Sequence, residues 1–389
     1  YVLDVDSGDW LAEEIPGKVN FIRWLPDDSG FYYRRLEDLD DPYSGAVKFH
    51  RLGTHHRLDK TLFRQRELSL FYADAGKSEA ELEALATTWG PYGAVSRDGR
   101  WMAVTYWTGT DSMDLWLANL ERWQRDGKLK LVPLSLGRVG RIGDLRFVGD
   151  KLYLQHSFEA SNGVLSLIDL HKPAFENWQP FVPQHRKQVI SSVAFSRDRI
   201  AVDYLDNAQT RIELFDYAGR SHGELVLPGI GSAGLVAAED RNEAFLVFTS
   251  FNMPRSTYHL DLVQGKRSLW ARPDVPVDPD AITVTQVWYP SVDGTQVSMF
   301  LVHKKGLRLD GSNPTILYGY GGFNIALTPT FTATLFPWFE RGGVYAVANL
   351  RGGGEYGAAW HEAGMLASKQ NVFDDFIGAA QWLVKNDYT

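Results

Sequence analysis

The clearest candidate for chemistry in this chain is a tyrosine held between glycines. The run ILYGYGGFN, Ile316 to Asn324, passes from apolar residues into Gly319, Tyr320, Gly321, Gly322 and Phe323. Glycine admits backbone conformations that a Cβ resists. A tight turn needs that freedom but does not need a phenol at its centre. Two uses fit. Either the Tyr320 ring is a plug packed into the turn, or its hydroxyl is presented to a reacting group. A tyrosine hydroxyl can donate to a developing oxyanion, and glycines would let the loop approach a substrate.

Other patterns exclude more than they suggest. The second glycine burst, RGGGEYG from Arg351 to Gly357, matches neither the dinucleotide fingerprint nor a phosphate loop, and neither does the first. The HEAG run at His361 lacks the second histidine of a zinc-peptidase helix. His55 and His56, in GTHHR, lie in a turn of the repeat region, where a solvated pair is expected and no metal site. With no cysteine, disulfides, thiolate metal sites and a cysteine nucleophile are excluded. The single G-x-S-x-G, GRSHG from Gly219 to Gly223, lies among the short strand-like runs before Ala271 and not on a strand-to-helix turn, so no serine is read as standing on a nucleophile elbow. No cofactor or metal is implied.

These residues need elements to position them, and the chain has two grammars. Up to Ala271 it is a series of short strand-like runs, such as WMAVTYW from Trp101 and DLWLANL from Asp114. A loose unit recurs: an apolar pair, a polar turn with Asp, then an apolar strand. It appears in FIRWLPDDSGFYY, GAVSRDGRWMAV, DLRFVGDKLYL, SVAFSRDRIAV and LVAAEDRNEAFLVF. The spacing after the second copy suits a propeller blade of four strands. A large β-sandwich is the bland alternative. The first interval is longer and carries ELSLFYADAGKSEAELEALA, read as an insertion or an extended inter-strand loop.

After the proline-rich ARPDVPVDPD, Ala271 to Asp280, the pattern becomes strand, helix, strand, helix, the rhythm of a doubly wound α/β sheet. A hairpin is expected to turn at Asp293-Gly294. The run Asn371 to Asn386 reads as a helix capped by Asn371, with Asp374 and Asp375 in its first turn. Phe373, Phe376, Ile377, Ala380, Leu383 and Val384 would line one face. Both glycine bursts then follow strands, where active loops of such sheets sit.

At 389 residues, two domains are the prior. A net charge of −8 and the lack of a Lys/Arg stripe argue against nucleic acid. No apolar run is long enough to span a bilayer.

The stretches LDGSNPTILYGYGGFNIALTPTF, GGVYAVANLRGGGEYGAAWHEAG, KQNVFDDFIGAAQWLVKNDYT and YPSVDGTQVSMFLVHKKG resemble the prolyl oligopeptidase family of serine peptidases. The resemblance covers 278–389 and is weaker before 272, where it rests on the blade pattern and on VNFIRWLPDDSGFYY and FHRLGT. It implies a β-propeller, with about five of seven blades within 1–274, followed by the first part of an α/β-hydrolase domain over 275–389. By motif, Tyr320 corresponds to the oxyanion tyrosine and Phe323 to the phenylalanine lining the proline pocket. Phe21 corresponds to a propeller phenylalanine facing the acyl side of the substrate, with an ordinary blade-core aromatic as the alternative.

The implied activity is cleavage of short peptides on the carboxyl side of proline by a Ser-Asp-His triad. GFN after YGYG favours proline over the Lys/Arg preference of oligopeptidase B relatives. A non-catalytic, propeller-based binding protein is the alternative of another class. The triad is expected outside these residues, so the chain by itself is expected to be inactive. The chain opens without Met and reads as the middle of a longer protein. Expected partners are short proline-containing peptides, with no nucleic acid and no membrane. A monomer is expected, in the cytoplasm, with the periplasm or secretion left open.

Overall fold

The structure is a computed structural model that describes residues 1–73, 75–88, 90–109 and 111–389. Five four-stranded sheets follow one another along the chain, each with its strands in simple sequence order. The first contains Val19–Trp24, Gly30–Leu36, Gly45–Arg51 and Lys60–Arg64, and the second runs from Tyr92–Val95 to Leu131–Ser135. The third runs from Ile142–Val148 to Gln179–Val182, the fourth from Val189–Phe195 to Ser221–Glu224, and the fifth from Ser232–Ala237 to Arg267–Ala271. This is the topology of propeller blades.

The recurring Asp turns explain the regularity. Asp98 accepts from the Arg100 amide at 3.1 Å and from the Ser96 hydroxyl at 2.6 Å, closing the turn before Trp101–Gly109. Asp216 accepts from the amides of Ala218 and Arg220, and Asp261 from those of Val263 and Gln264, at their own blade turns. A short carboxylate that bonds its neighbours' backbone makes such a turn without help from the rest of the fold.

The charged stretch after the first sheet is more than an extended loop. It joins two sheets and forms the helices Leu68–Tyr72 and Glu79–Ala86, the second opened by a Ser78–Glu81 capping box. Leu68, Phe71 and Tyr72 are buried, and the Trp116 indole donates to Phe71 O at 2.9 Å. Its aromatic residues, not its charges, decide its role.

The described residues fall into two compact units, one of 1–154 with 166–180 and the other of 155–165 with 181–389. In the first unit, facing sheets bury Tyr32, Val47, Phe63, Met102, Val104, Tyr106 and Trp116 in one cluster. In the second, the fourth and fifth sheets bury Ile212, Leu246 and Leu260 between them.

The second unit also holds a mixed sheet in the order Ile282–Pro290, Gln296–Lys304, Val344–Ala348, Thr315–Gly319. The first two strands form the expected hairpin, with Gly294 at φ 84° and the Asp293 carboxylate accepting the Thr295 amide. Val344–Ala348 pairs antiparallel with the hairpin and parallel with Thr315–Gly319. Alternation sends Met299, Leu301, Ala346 and Ala348 to one face, and Phe300, Val302 and Val347 to the other. Both faces are covered, which is why these strands read as continuous apolar runs. The helix Gln370–Lys385 covers the first face.

That helix differs from its sequence reading. It starts at Gln370 after Lys369, so Asn371 is not its cap; the Asn371 amide donates to Ala363 O at 2.9 Å. The buried positions are Val372, Asp375, Ala379 and Leu383, whereas Phe373, Ile377 and Val384 are exposed. The stripe is turned because Asp375, a charged residue that periodicity would assign to solvent, pairs with a buried arginine.

Candidate active site: two interlocked glycine loops

The parallel pairing sets Gly319 opposite Ala348. Tyr320 and Asn349 therefore leave the sheet side by side, at the carboxyl ends of neighbouring strands. Tyr320 is 44% exposed, and no hydrogen bond among the described residues reaches its hydroxyl. Phe323, three residues on, is 68% exposed. Phe323 and Asn324 both have left-handed backbones, with φ of 53° and 58°. Asparagine tolerates that region, but a phenylalanine there is unusual and needs its surroundings to hold it.

Those surroundings are the second glycine loop. A side chain at Gly321 would meet Arg351 O at 2.7 Å, and one at Gly352 would meet Gly321 O at 2.6 Å. At Gly353 it would meet Ile325 O at 2.9 Å, and at Gly354 it would meet Asn324 O at 2.5 Å. The two loops thus lie backbone against backbone. Most of the glycines are there for this close approach; Gly322, by contrast, has open space with the Tyr320 ring 3.8 Å away.

Hydrogen bonds fix the interlock. Lys369 Nζ donates to Gly321 O at 2.6 Å. Gly352 O accepts from the Asn324 amide at 3.2 Å and lies 2.7 Å from His361 Nδ1. The Leu327 amide donates to Glu355 Oε1 at 2.8 Å, and Asn349 Nδ2 donates to Leu327 O at 2.8 Å. Glu355 is 1% exposed, and burial pushes its carboxyl up to about 7.

Arg351 anchors the second loop to the helix and to the hairpin. Its guanidinium meets Asp375 at 2.6 Å and Asp293 at 2.6 Å, with Arg351 and Asp375 both buried. The Asp375 carboxylate also accepts the Arg351 amide at 3.0 Å. The bond from Arg351 holds the Asp293 carboxyl down at about 2.

Tyr320 and Phe323 are thus brought together on one tethered loop. Phe21 belongs to the other unit. There it sits at a bulge of Val19–Trp24 with φ 55°, packs against that unit's aromatic cluster, and lies with Arg23 5.4 Å from its ring. In the sequence RGGGEYG reads as a loop that fits no nucleotide motif and Asp375 as a first-turn residue of a helix, whereas Lys369, Asn349, Glu355 and Arg351 are not singled out. Two signals were there to be read: a charged residue on each side of three glycines, and a second aspartate inside an apolar helix.

Comparison with known proteins gives the family. A model described as the prolyl oligopeptidase N-terminal beta-propeller domain matches residues 1–82 and 84–273, and one described as the prolyl oligopeptidase family matches 329–389. A prolyl endopeptidase of Elizabethkingia miricola is 32% identical over all of this chain and 53% of its own length. A dual function macrocyclase-peptidase of Amanita bisporigera is 30% identical over 95% of this chain and 50% of its own. The chain spans about half the length of the curated relatives it matches. Among solved structures, one from a study of inter-domain dynamics in two prolyl endopeptidases superposes with a TM-score of 0.84 at 35% identity, covering 100% of this chain and 55% of that one. Prolyl oligopeptidase B from Galerina marginata, bound to a 35mer substrate, gives a TM-score of 0.80 at 27% identity, covering 94% and 49%. Blade sheets, an α/β sheet ending in two glycine loops, and relatives matched along the whole length place this chain in the prolyl oligopeptidase family of serine peptidases.

Proposed function

We propose that these residues serve a serine endopeptidase that cuts short peptides on the carboxyl side of proline. One observation carries the reading. Tyr320 presents a hydroxyl that has no hydrogen-bond partner among the described residues, from a loop tethered at several points, and Phe323 stands exposed on that same loop. A serine activated by histidine attacks the proline carbonyl, and charge develops on its oxygen. Tyr320 Oη and one backbone N–H donate to that oxygen, on a support that is already ordered before the reaction. Phe323 offers its face to the flat pyrrolidine ring.

The single G-x-S-x-G of the sequence puts Ser221 on the exposed strand Ser221–Glu224 of the fourth sheet and not between a strand and a helix, so the nucleophile of this reading is assigned to no residue here, and the chain by itself is expected to show no turnover. The complete enzyme is expected to act as a monomer on short peptides, with no cofactor.

The test is turnover by the complete enzyme on peptides that differ only in the residue before the cut. The reading expects the highest kcat/KM after proline, abolished by a serine-directed inhibitor. Faster cleavage after lysine or arginine would move the protein to the oligopeptidase B type, and no cleavage at all would favour a binding protein.

A further inference from the structure

The oxyanion reading gives no task to Glu355. Its carboxylate is 1% exposed. Oε1 accepts from the Leu327 amide at 2.8 Å and lies 3.4 Å from Asn349 Nδ2. Oε2 is buried with no hydrogen-bond partner among the described residues. Burying a carboxylate with one idle oxygen is unfavourable, and an apolar side chain of similar size would avoid that cost. Something done by the acceptor must offset it.

Leu327 is the far end of the loop that carries Phe323. Both of its backbone polar groups are held from the other loop's side, N–H by Glu355 and O by Asn349. Lys369 holds the near end through Gly321 O. Between the two tethers lie Phe323 and Asn324, each in a left-handed conformation. Such a turn persists only where its flanks over-determine it. Glu355 Oε1 takes an N–H that would otherwise be left without a partner, and no other acceptor is bonded to the Leu327 amide among the described residues.

We infer that Glu355 is a positioning residue: by holding the Leu327 amide it keeps the Phe323–Asn324 turn left-handed and so sets where the Phe323 ring stands. Its effect on the reaction rests on the reading of Phe323 as a wall of the proline pocket. The bond itself does not.

The experiment uses the complete enzyme in four forms: wild type, Glu355→Leu, Phe323→Ala and the double variant. Glu355→Leu is expected to lower the ratio of kcat/KM for a prolyl over an alanyl substrate by roughly tenfold. In the Phe323→Ala background it should lower the ratio no further, because the ring it positions is gone. Equal losses on both substrates, or additive losses in the double variant, would overturn the inference. Glu355→Gln keeps the shape and an acceptor oxygen, so its ratio should stay within about threefold of wild type. A loss as large as that of leucine would count against the acceptor role.

Amide exchange separates this inference from the functional reading. In the wild type the Leu327 amide should be protected, and in Glu355→Leu it should exchange about tenfold faster or more. If Phe323→Ala leaves the ratio unchanged, the pocket reading falls, and the exchange rates alone decide the role of Glu355. A Leu327 amide that exchanges in wild type like a free peptide overturns the inference even if no variant folds.

Discussion

Gly352 lies so close to Gly321 that a side chain on it would stand 2.6 Å from the Gly321 carbonyl oxygen. Gly352 also has φ 89°, a conformation that side chains resist. Its own carbonyl takes the Asn324 amide. Gly352→Ala should therefore both strain the backbone and push the two loops apart. We expect a loss of about 2 kcal/mol or more in urea unfolding, against a few tenths for alanine at Gly322, whose would-be side chain meets nothing closer than 3.8 Å. Equal effects at the two positions would mean that the loops are not interlocked as described.

Arg351 and Asp375 form a buried ion pair, and removing one partner leaves the other charge uncompensated. Arg351→Met is expected to cost about 3–5 kcal/mol. Changing both residues to apolar ones of similar size should cost less than the sum of the two single changes. Additive losses in a double-mutant cycle would contradict the pairing.

Glu355 makes a prediction about pH. Its carboxyl is raised from the ordinary 4.5 to about 7, with burial as the largest cause. Between those values the folded chain holds a proton that the unfolded chain has released. Stability should therefore fall as pH rises through that window and level off above it. Glu355→Gln cannot ionise, so the difference in stability between wild type and this variant should carry the slope. A difference that is flat from pH 4.5 to pH 7 would show that Glu355 is ionised throughout.

Phe323→Ala in the complete enzyme should harm recognition of proline more than the chemistry itself. The ring is 68% exposed in this structure, so its loss should cost little stability. In kcat/KM for a prolyl substrate the cost should be about 2–3 kcal/mol, the scale of one aromatic contact. An alanyl substrate should lose less, and the ratio of the two should fall about tenfold or more. Equal losses would make Phe323 a support of the loop and not a reader of the substrate.

Much of this was legible in the sequence, for a physical reason in each case. Asp turns and alternating strands are local, so the blade sheets and the Asp293-Gly294 hairpin could be read from neighbouring residues. The rest depended on distant partners. Asn371 has the right type for a helix cap, but the helix already starts at Gln370, and the Asn371 side-chain Nδ2 donates to Ala363 O outside it. Phe373, Ile377 and Val384 satisfy helical periodicity and still face outward, because Arg351 holds Asp375 on the buried side. The glycines of YGYGG suggested a flexible presentation of Tyr320. Most of them instead admit a second loop whose approach no local pattern announces. Tyr320 and Phe323 were chosen by motif, and the structure sets them on one tethered loop. Phe21 lies in the other unit, packed in that unit's own cluster.

The central claim is that the Tyr320 hydroxyl donates to the developing oxyanion. Tyr320→Phe removes one oxygen atom from a half-exposed ring that makes no other hydrogen bond among the described residues, so the fold should be unchanged. The direct measurement is kcat and KM of the complete enzyme and its Tyr320→Phe variant on one prolyl substrate. The account predicts a fall in kcat on the order of 10²–10³-fold, with KM nearly unchanged, because the bond strengthens only in the transition state. A kcat within a few-fold of wild type would contradict it.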